Sequence, residues 1–394
     1  MQVSDFFKYQ AQTTPHPLAM EIKYAKGSYI YDSDDNPHLD FVAGVSACTL
    51  GHSHPVVVNA VKEQLDKYLH VMVYGEYIQQ PAVDLCKKMA ELLPEPLDTT
   101  YLVNSGTEAI EGSIKLARRY TGRSEIIAAK NSYHGNTLGS LSLMNYQERK
   151  RPFLPLLPGI RHITFNCEWC LEQITDKTAG VILETIQGGA GFIEPIEGYL
   201  SSVQKRCNEV GAVLILDEIQ PGIGRTGKMF GFENYNCKPD IVVTGKGLGG
   251  GLPIGAFTAS YEMMKHLTDN PKLGHITTFG GNPVIASAAL ATLMELTNSN
   301  HIAETLEKEK LIREHLSHPL IKEIRGRGLM LAAITENAEI TNEVILKCKE
   351  KGLILFWLLF ESKAIRITPP LTISNEEIVK GCQIICSVLN TIQN

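Results

Sequence analysis

Between residues 100 and 260 the chain alternates short apolar runs with helical segments. YLVN (101–104), EIIAA (125–129), AGVILE (179–184), AVLILD (212–217), DIVVT (240–244) and IGAFTAS (254–260) are the strand candidates, and they are nearly continuous in Val, Ile, Leu and Ala. A strand without a polar face is covered on both sides, and strands joined by helical crossovers lie parallel. The expected fold is therefore α/β: a large, mostly parallel sheet with helices on both faces. Upstream, 56–70 and 80–93 have helical periodicity. GSYIYDSDDNPHLDF (27–41) reads as a hairpin, with the turn residues Asp34, Asp35 and Asn36 between aromatic-rich arms. After Pro283 a long helical stretch, 284–317, leads to a second α/β pattern. There, strands near 328–334 and 364–368 flank a helix near 341–351. The expected division is an N-terminal segment, 1–50, that belongs with the small domain, a large domain over 51–285 that carries the site, and a small C-terminal domain over 286–394.

A chain of 394 residues can bury a large core. Its net charge of −6, without a basic block, argues against nucleic acid as a partner. Nine scattered cysteines suit reduced thiols in a cytoplasmic protein better than a disulfide framework. Cys167 and Cys170 form a CxxC with no second pair, so no metal site is expected. MQVSDFFKYQ lacks the apolar core of a signal peptide. The longest apolar run, LILFWLLF (353–360), is too short to span a membrane and reads as a buried strand.

The chemistry-bearing residues stand where the strand-like runs end. Asp217 closes LILD, and Lys246 follows DIVVTG with glycines around it. A buried carboxylate and a lysine, both at strand ends, suit pyridoxal phosphate: the lysine condenses with the aldehyde, and the carboxylate keeps a proton on the pyridine nitrogen. NSGTEA (104–109) follows a strand and opens a helix, so Ser105, Gly106 and Thr107 lie where a helix N-terminus favours phosphate. Tyr133 follows another strand and can stack on a ring. Gln220 can reach a phenolic oxygen, Ile219 can cover the second ring face, and Glu184 ends a neighbouring strand as a second carboxylate. Thr278 precedes a glycine pair. Arg366, in IRITPPL (365–371), suits bidentate capture of a carboxylate. Taken singly, each has an ordinary reading. A lysine after a strand is usually a solvated charge, Thr107 can be a plain N-cap, His134 reads as a packing or hydrogen-bonded residue, and Arg366 can be a surface arginine in a strand. Together and in this order they outweigh those readings.

SGTEA, DEIQPGIGRTGK, the lysine segment and TFGGNP, with GHSHP and IRITPPL at either end, resemble the class III pyridoxal-phosphate aminotransferases over nearly the whole chain. Within that class the similarity is to the ornithine and acetylornithine group. The resemblance implies a fold-type-I transferase in which Lys246 carries the cofactor and moves the proton. It implies that Asp217 pairs with the pyridine nitrogen, Gln220 bonds the phenolic oxygen, and Tyr133 and Ile219 enclose the ring. Gly106 and Thr107, with Ser105 beside them, would bind phosphate. Thr278 would reach the phosphate of a neighbouring subunit, implying a homodimer with shared active sites. Arg366 would hold the α-carboxylate of glutamate or 2-oxoglutarate, with an ω-amine or ornithine-like compound as amino donor and a keto acid as acceptor.

The chain departs from the pattern in ETIQGGAG (184–191), with Thr185 for Pro and Gly189 for Glu. In the ornithine group that Glu shields the equivalent of Arg366. Asn136 likewise replaces an Arg that helps to hold a distal carboxylate. These changes bear on substrate and leave the cofactor residues in place. The competing readings are an aminomutase, racemase or decarboxylase on the same scaffold, or a protein that binds the cofactor without catalysis. A keto-acid-dependent appearance of the pyridoxamine form separates transfer from the other reactions, and absence of turnover with any amine, with the cofactor retained, marks the non-catalytic reading.

Overall fold

The computed structural model describes residues 3–393. Seven strands build the main sheet: β1 (Thr99–Val103), β2 (Glu125–Ala129), β3 (Ile160–Ile163), β4 (Thr178–Glu184), β5 (Val213–Asp217), β6 (Ile241–Gly245) and β7 (Gly255–Ala259), in the order β1-β7-β6-β5-β4-β2-β3. Pairs from β3 through β6 are parallel, and β7 runs antiparallel to both β1 and β6. β4, β5, β6 and β7 are buried throughout, which explains why they lack alternation. The main sheet is thus mixed and mostly parallel, as expected from its apolar runs. β3 (IRHI) escaped sequence reading because it is a short, half-exposed edge strand with polar residues at its centre.

Helix α1 (Gly106–Thr121) follows β1 and buries Ile110, Ile114 and Ala117. Ser105 caps it by accepting the Glu108 N–H, and Glu108 in turn accepts the Asn104 N–H at 2.7 Å. This S-x-x-E arrangement approaches a capping box. The cap is therefore Ser105 and not Thr107. Gly122 ends the helix with φ 68°, where a side chain would be strained.

The expected helix over 284–317 is two helices, Pro283–Asn298 and His301–His315, broken at Ser299 and Asn300. The C-terminal sheet has the order Ile321–Arg327, Met330–Thr335, Ala364–Ile367, Phe356–Trp357, all antiparallel. LILFWLLF is not one buried strand. Leu353–Ile354 pairs parallel with Leu39–Asp40 of the N-terminal sheet, whereas Phe356–Trp357 pairs with Ile365 and Arg366. Leu353, Leu355 and Leu358 are buried, but Phe356 and Leu359 are 39% and 41% exposed. Cys167 and Cys170 are joined as a disulfide, against the expectation of reduced thiols, and the other seven cysteines are free. Among the described residues no cluster fits a metal ion, and no helix is long and apolar enough to cross a membrane.

Candidate active site

Side chains with chemistry collect at the C-terminal edge of the parallel strands, where α/β sheets open a crevice. Glu184 ends β4 and Asp217 ends β5 in direct register. Lys246 follows β6, Tyr133 and His134 follow β2, and α1 starts after β1. With Arg366 and Trp357 from the C-terminal sheet they line a cavity of about 530 Å³.

Asp217 is buried, accepting His134 Nδ1–H at 2.7 Å on one oxygen and the Ile219 N–H at 3.0 Å on the other. Burial opposes charge on His134, but the hydrogen bond to Asp217 and the charges of Asp217 and Glu184 outweigh it and hold its pKa above the ordinary imidazole value. Sequence reading gave His134 a hydrogen-bonding place; its partner is visible only in three dimensions. Burial drives Glu184 up to about 7, against the pull of His134 and the N–H groups of Gly188 (2.9 Å) and Tyr133 (3.1 Å).

Lys246 has φ 41°, in the left-handed region. Such a conformation costs a non-glycine residue about 1–3 kcal/mol and is typical of functional sites. Burial pushes the Lys246 ammonium pKa down, and the Arg366 charge adds to this while Asp217 and Glu184 oppose it. Among the described residues no carboxylate forms an ion pair with it. A second strained stretch faces the cavity: Ala43, Gly44, Val45 and Ser46 all have φ between 49° and 66°. Val45 lines the cavity, and no sequence pattern marked it. Asp40 holds the start of this loop by accepting the N–H groups of Val42 and Ala43.

At the opposite end, Gly106 and Thr107 line the cavity. A Cβ on Gly106 would lie 2.6 Å from Ile219 Cδ1, so only glycine lets the helix start this close to Ile219. Gln220 lines the same space and donates to Ser46 at 3.3 Å. Ser105 does not line it, because its hydroxyl is taken up by the helix cap. Thr278 is exposed and lies outside this cavity.

Arg366 is buried, yet its guanidinium has no carboxylate partner among the described residues. Nε makes a long 3.5 Å contact to the Trp357 carbonyl, Nη1 has no partner, and the Phe192 ring lies 5.7 Å away. Burial lowers its pKa to about 10, which leaves it charged at neutral pH. A buried, unsatisfied cation opening on a cavity favours an anion there. Asn136 is at the exposed rim. A Cβ on Gly189 would lie 2.8 and 2.9 Å from Phe360 ring carbons. Phe360 is held there by its backbone bond to the Gly189 carbonyl (2.9 Å) and by the Tyr146 ring stacked at 4.1 Å. Sequence reading did not find this aromatic pair.

The donor set fits pyridoxal phosphate. Free N–H groups and a hydroxyl at the start of α1 suit its phosphate, a buried carboxylate backed by histidine suits a protonated ring nitrogen, and an amine of lowered pKa suits its aldehyde. The family model for class-III aminotransferases matches residues 9–389. The acetylornithine aminotransferase of Caldanaerobacter subterraneus subsp. tengcongensis is 38% identical over 98% of each chain. That of Methanopyrus kandleri is 37% identical over 90% of each chain. The ornithine aminotransferase of Toxoplasma gondii, crystallised with partial occupancy of pyridoxal phosphate at its active site, superposes with a TM-score of 0.92. It is 29% identical, covering 100% of this chain and 95% of that one. The chain belongs to the class-III aminotransferase family and is a pyridoxal-phosphate-dependent enzyme.

Proposed function

We propose that this aminotransferase moves an amino group from an ω-amine or ornithine-like donor to 2-oxoglutarate or another keto acid, with Arg366 as the receptor for an α-carboxylate. The observation that carries the reading is Arg366 itself, a buried guanidinium with no carboxylate partner in the cavity that holds Lys246. Pyridoxal phosphate, when bound, supplies an aldehyde that carries the amino group and a ring that accepts the electron pair left when a substrate proton departs. Asp217, steadied by His134 at 2.7 Å, would keep the proton on the ring nitrogen. Tyr133, Ile219 and Gln220 line the cavity, where the first two would cover the ring and Gln220 would bond its phenolic oxygen. Glu184, fixed by two N–H groups, orients the loops that carry Tyr133 and Gly188. Gly106 and Thr107, at the start of α1, would hold the phosphate. Lys246, whose burial favours the neutral amine, takes the proton from the substrate carbon and returns it.

The same reading makes the protein a cytoplasmic homodimer with shared sites. Thr278 is exposed between Ile276 and Phe279, which are 46% and 56% exposed. Phe279 lies 4.8 Å from His70, on a segment whose Tyr77 and Ile78 are also exposed. An apolar surface of this kind beside a phosphate-binding threonine suits a second subunit.

An amino-donor screen tests the substrate assignment. The pyridoxal form is mixed with each amine and conversion to the pyridoxamine form is followed by absorbance. Arg366→Ala should depress reaction with glutamate far more than with an uncharged monoamine. Equal losses for both would remove Arg366 from carboxylate recognition.

A further inference from the structure

The start of α1 carries more hydroxyl groups than its cap requires. Thr107 Oγ1 lies 2.6 Å from Ser140 Oγ and 2.9 Å from Thr137 Oγ1, and it accepts the Thr137 N–H at 3.3 Å. Thr137 Oγ1 donates to Glu111 Oε1 at 2.6 Å. The same carboxylate oxygen accepts the N–H groups of Gly139 (2.9 Å) and Ser140 (3.2 Å). Two glycines make room for the cluster, because a Cβ on Gly135 would strike Thr107 and one on Gly139 would strike the Glu111 carboxylate.

A hydroxyl has one proton to give, and an ionised carboxylate has none. Glu111 therefore takes the proton of Thr137, and Thr137 Oγ1 can offer Thr107 nothing. The Thr107 oxygen accepts the Thr137 N–H and lies 2.6 Å from the Ser140 hydroxyl, whose proton also has the Thr137 carbonyl at 3.2 Å and Thr137 Oγ1 at 3.0 Å within reach; the shortest of these three approaches is to Thr107. Its own proton remains for another acceptor. The competing acceptors are Ser140 Oγ and Thr137 Oγ1, but a dianionic phosphate is stronger than either hydroxyl. Three donors on the Glu111 carboxylate keep its charge from facing that phosphate unscreened.

We propose that Glu111, Thr137 and Ser140 form a proton-ordering clamp that fixes the Thr107 hydroxyl as a hydrogen-bond donor to the cofactor's phosphate. All three are positioning residues, and the inference rests on the reading that Thr107 meets the phosphate.

The test is cofactor affinity, measured by titrating the cofactor-free protein with pyridoxal phosphate and with pyridoxal, which lacks the phosphate. Thr107→Val should weaken pyridoxal phosphate roughly tenfold or more, the scale of one charge-assisted hydrogen bond, and leave pyridoxal unchanged. Ser140→Ala, Thr137→Val and Glu111→Gln should each give a loss selective for the phosphate form, while Thr137→Ser keeps the hydroxyl and restores affinity. In the Thr107→Val background, Ser140→Ala should add little. If Thr107→Val shows no selective loss, the placement of the phosphate fails. If Thr107→Val is selective but Ser140→Ala and Thr137→Val are not, or Ser140→Ala costs as much in the Thr107→Val background, the clamp is refuted and the Thr107 contact stands. Should Glu111→Gln fail to fold, the Ser140 and Thr137 variants still decide.

Discussion

A glutamate placed at position 189 will not by itself restore the shield that the resemblance to the ornithine group calls for. The Cβ it introduces would lie 2.8 and 2.9 Å from the Phe360 ring, against an ordinary contact distance of about 3.4 Å. The ring must then move by roughly half an ångström, and it is tied by a backbone bond to residue 189 and by its stack on Tyr146. Overpacking of this kind costs about 1–3 kcal/mol. Gly189→Glu alone should therefore lower the melting temperature and blunt reaction with every amine alike. Phe360→Ala clears the space, and Gly189→Glu added to it can bring a carboxylate toward Arg366. A hydrogen bond to a buried charge is worth about 1.5–3 kcal/mol, so the α-carboxylate of glutamate should lose on the order of 10- to 100-fold in kcat/KM while a monoamine loses little. The assay is the single-turnover rate of pyridoxamine formation with glutamate, an ω-amine and a monoamine, in all four combinations of the two sites. A single Gly189→Glu variant as stable as the parent and already selective against glutamate would refute the claim that Phe360 occupies this place.

Borohydride reduction should fix the cofactor on Lys246, and a peptide map with the label on another lysine would overturn that assignment. Asp217→Asn keeps the shape beside His134 but removes the charge, so proton transfer should slow by orders of magnitude with a smaller loss of cofactor affinity; turnover close to the parent's would exclude the role. Glu184 and Glu218 are both raised by burial from 4.5 to about 7. The folded state keeps protons that the unfolded chain has released, so the stability each contributes is present below pH 4.5 and is lost as pH rises to about 7, on the order of 3 kcal/mol per group at 1.36 kcal/mol per unit. Denaturant titrations of the cofactor-free protein should show this decline, and Glu184→Gln should make its slope shallower. An unchanged slope would mean that Glu184 is ionised throughout.

The main sheet was legible because burial on both faces writes a continuous apolar run into β4, β5 and β6. The same runs end at Glu184, Asp217 and just before Lys246, so the edge of the sheet that lines the cavity could be read from where hydrophobicity stops. Sequence reading failed where one segment serves two masters. LILFWLLF has one apolar character, but its first half completes the N-terminal sheet and its second half turns Phe356 and Leu359 toward the cavity. Its apolar content could not separate the two. Gly189 was read as a missing side chain, whereas the structure fills its place from Phe360, a residue far along the chain. Ser105 stood next to the right site, but its hydroxyl serves the helix.

The antiparallel strand β7 decides when the site can come into existence. It lies between β1 and β6, with Gly255 paired to both Val103 and Gly245. A side chain on Gly255 would strike the Ser105 carbonyl, so this strand passes directly beneath the turn into α1. On a growing chain, β2 to β6 can assemble through local crossovers, but β1 has no strand to pair with until residues near 259 have emerged. Closing so long a loop is a slow, non-local step. The end of the cavity at the start of α1 is thus a late product of folding: a nascent chain that stops short of β7 can pack α1 on β4, β5 and β6 but leaves β1, and with it the turn into α1, without its strand partner.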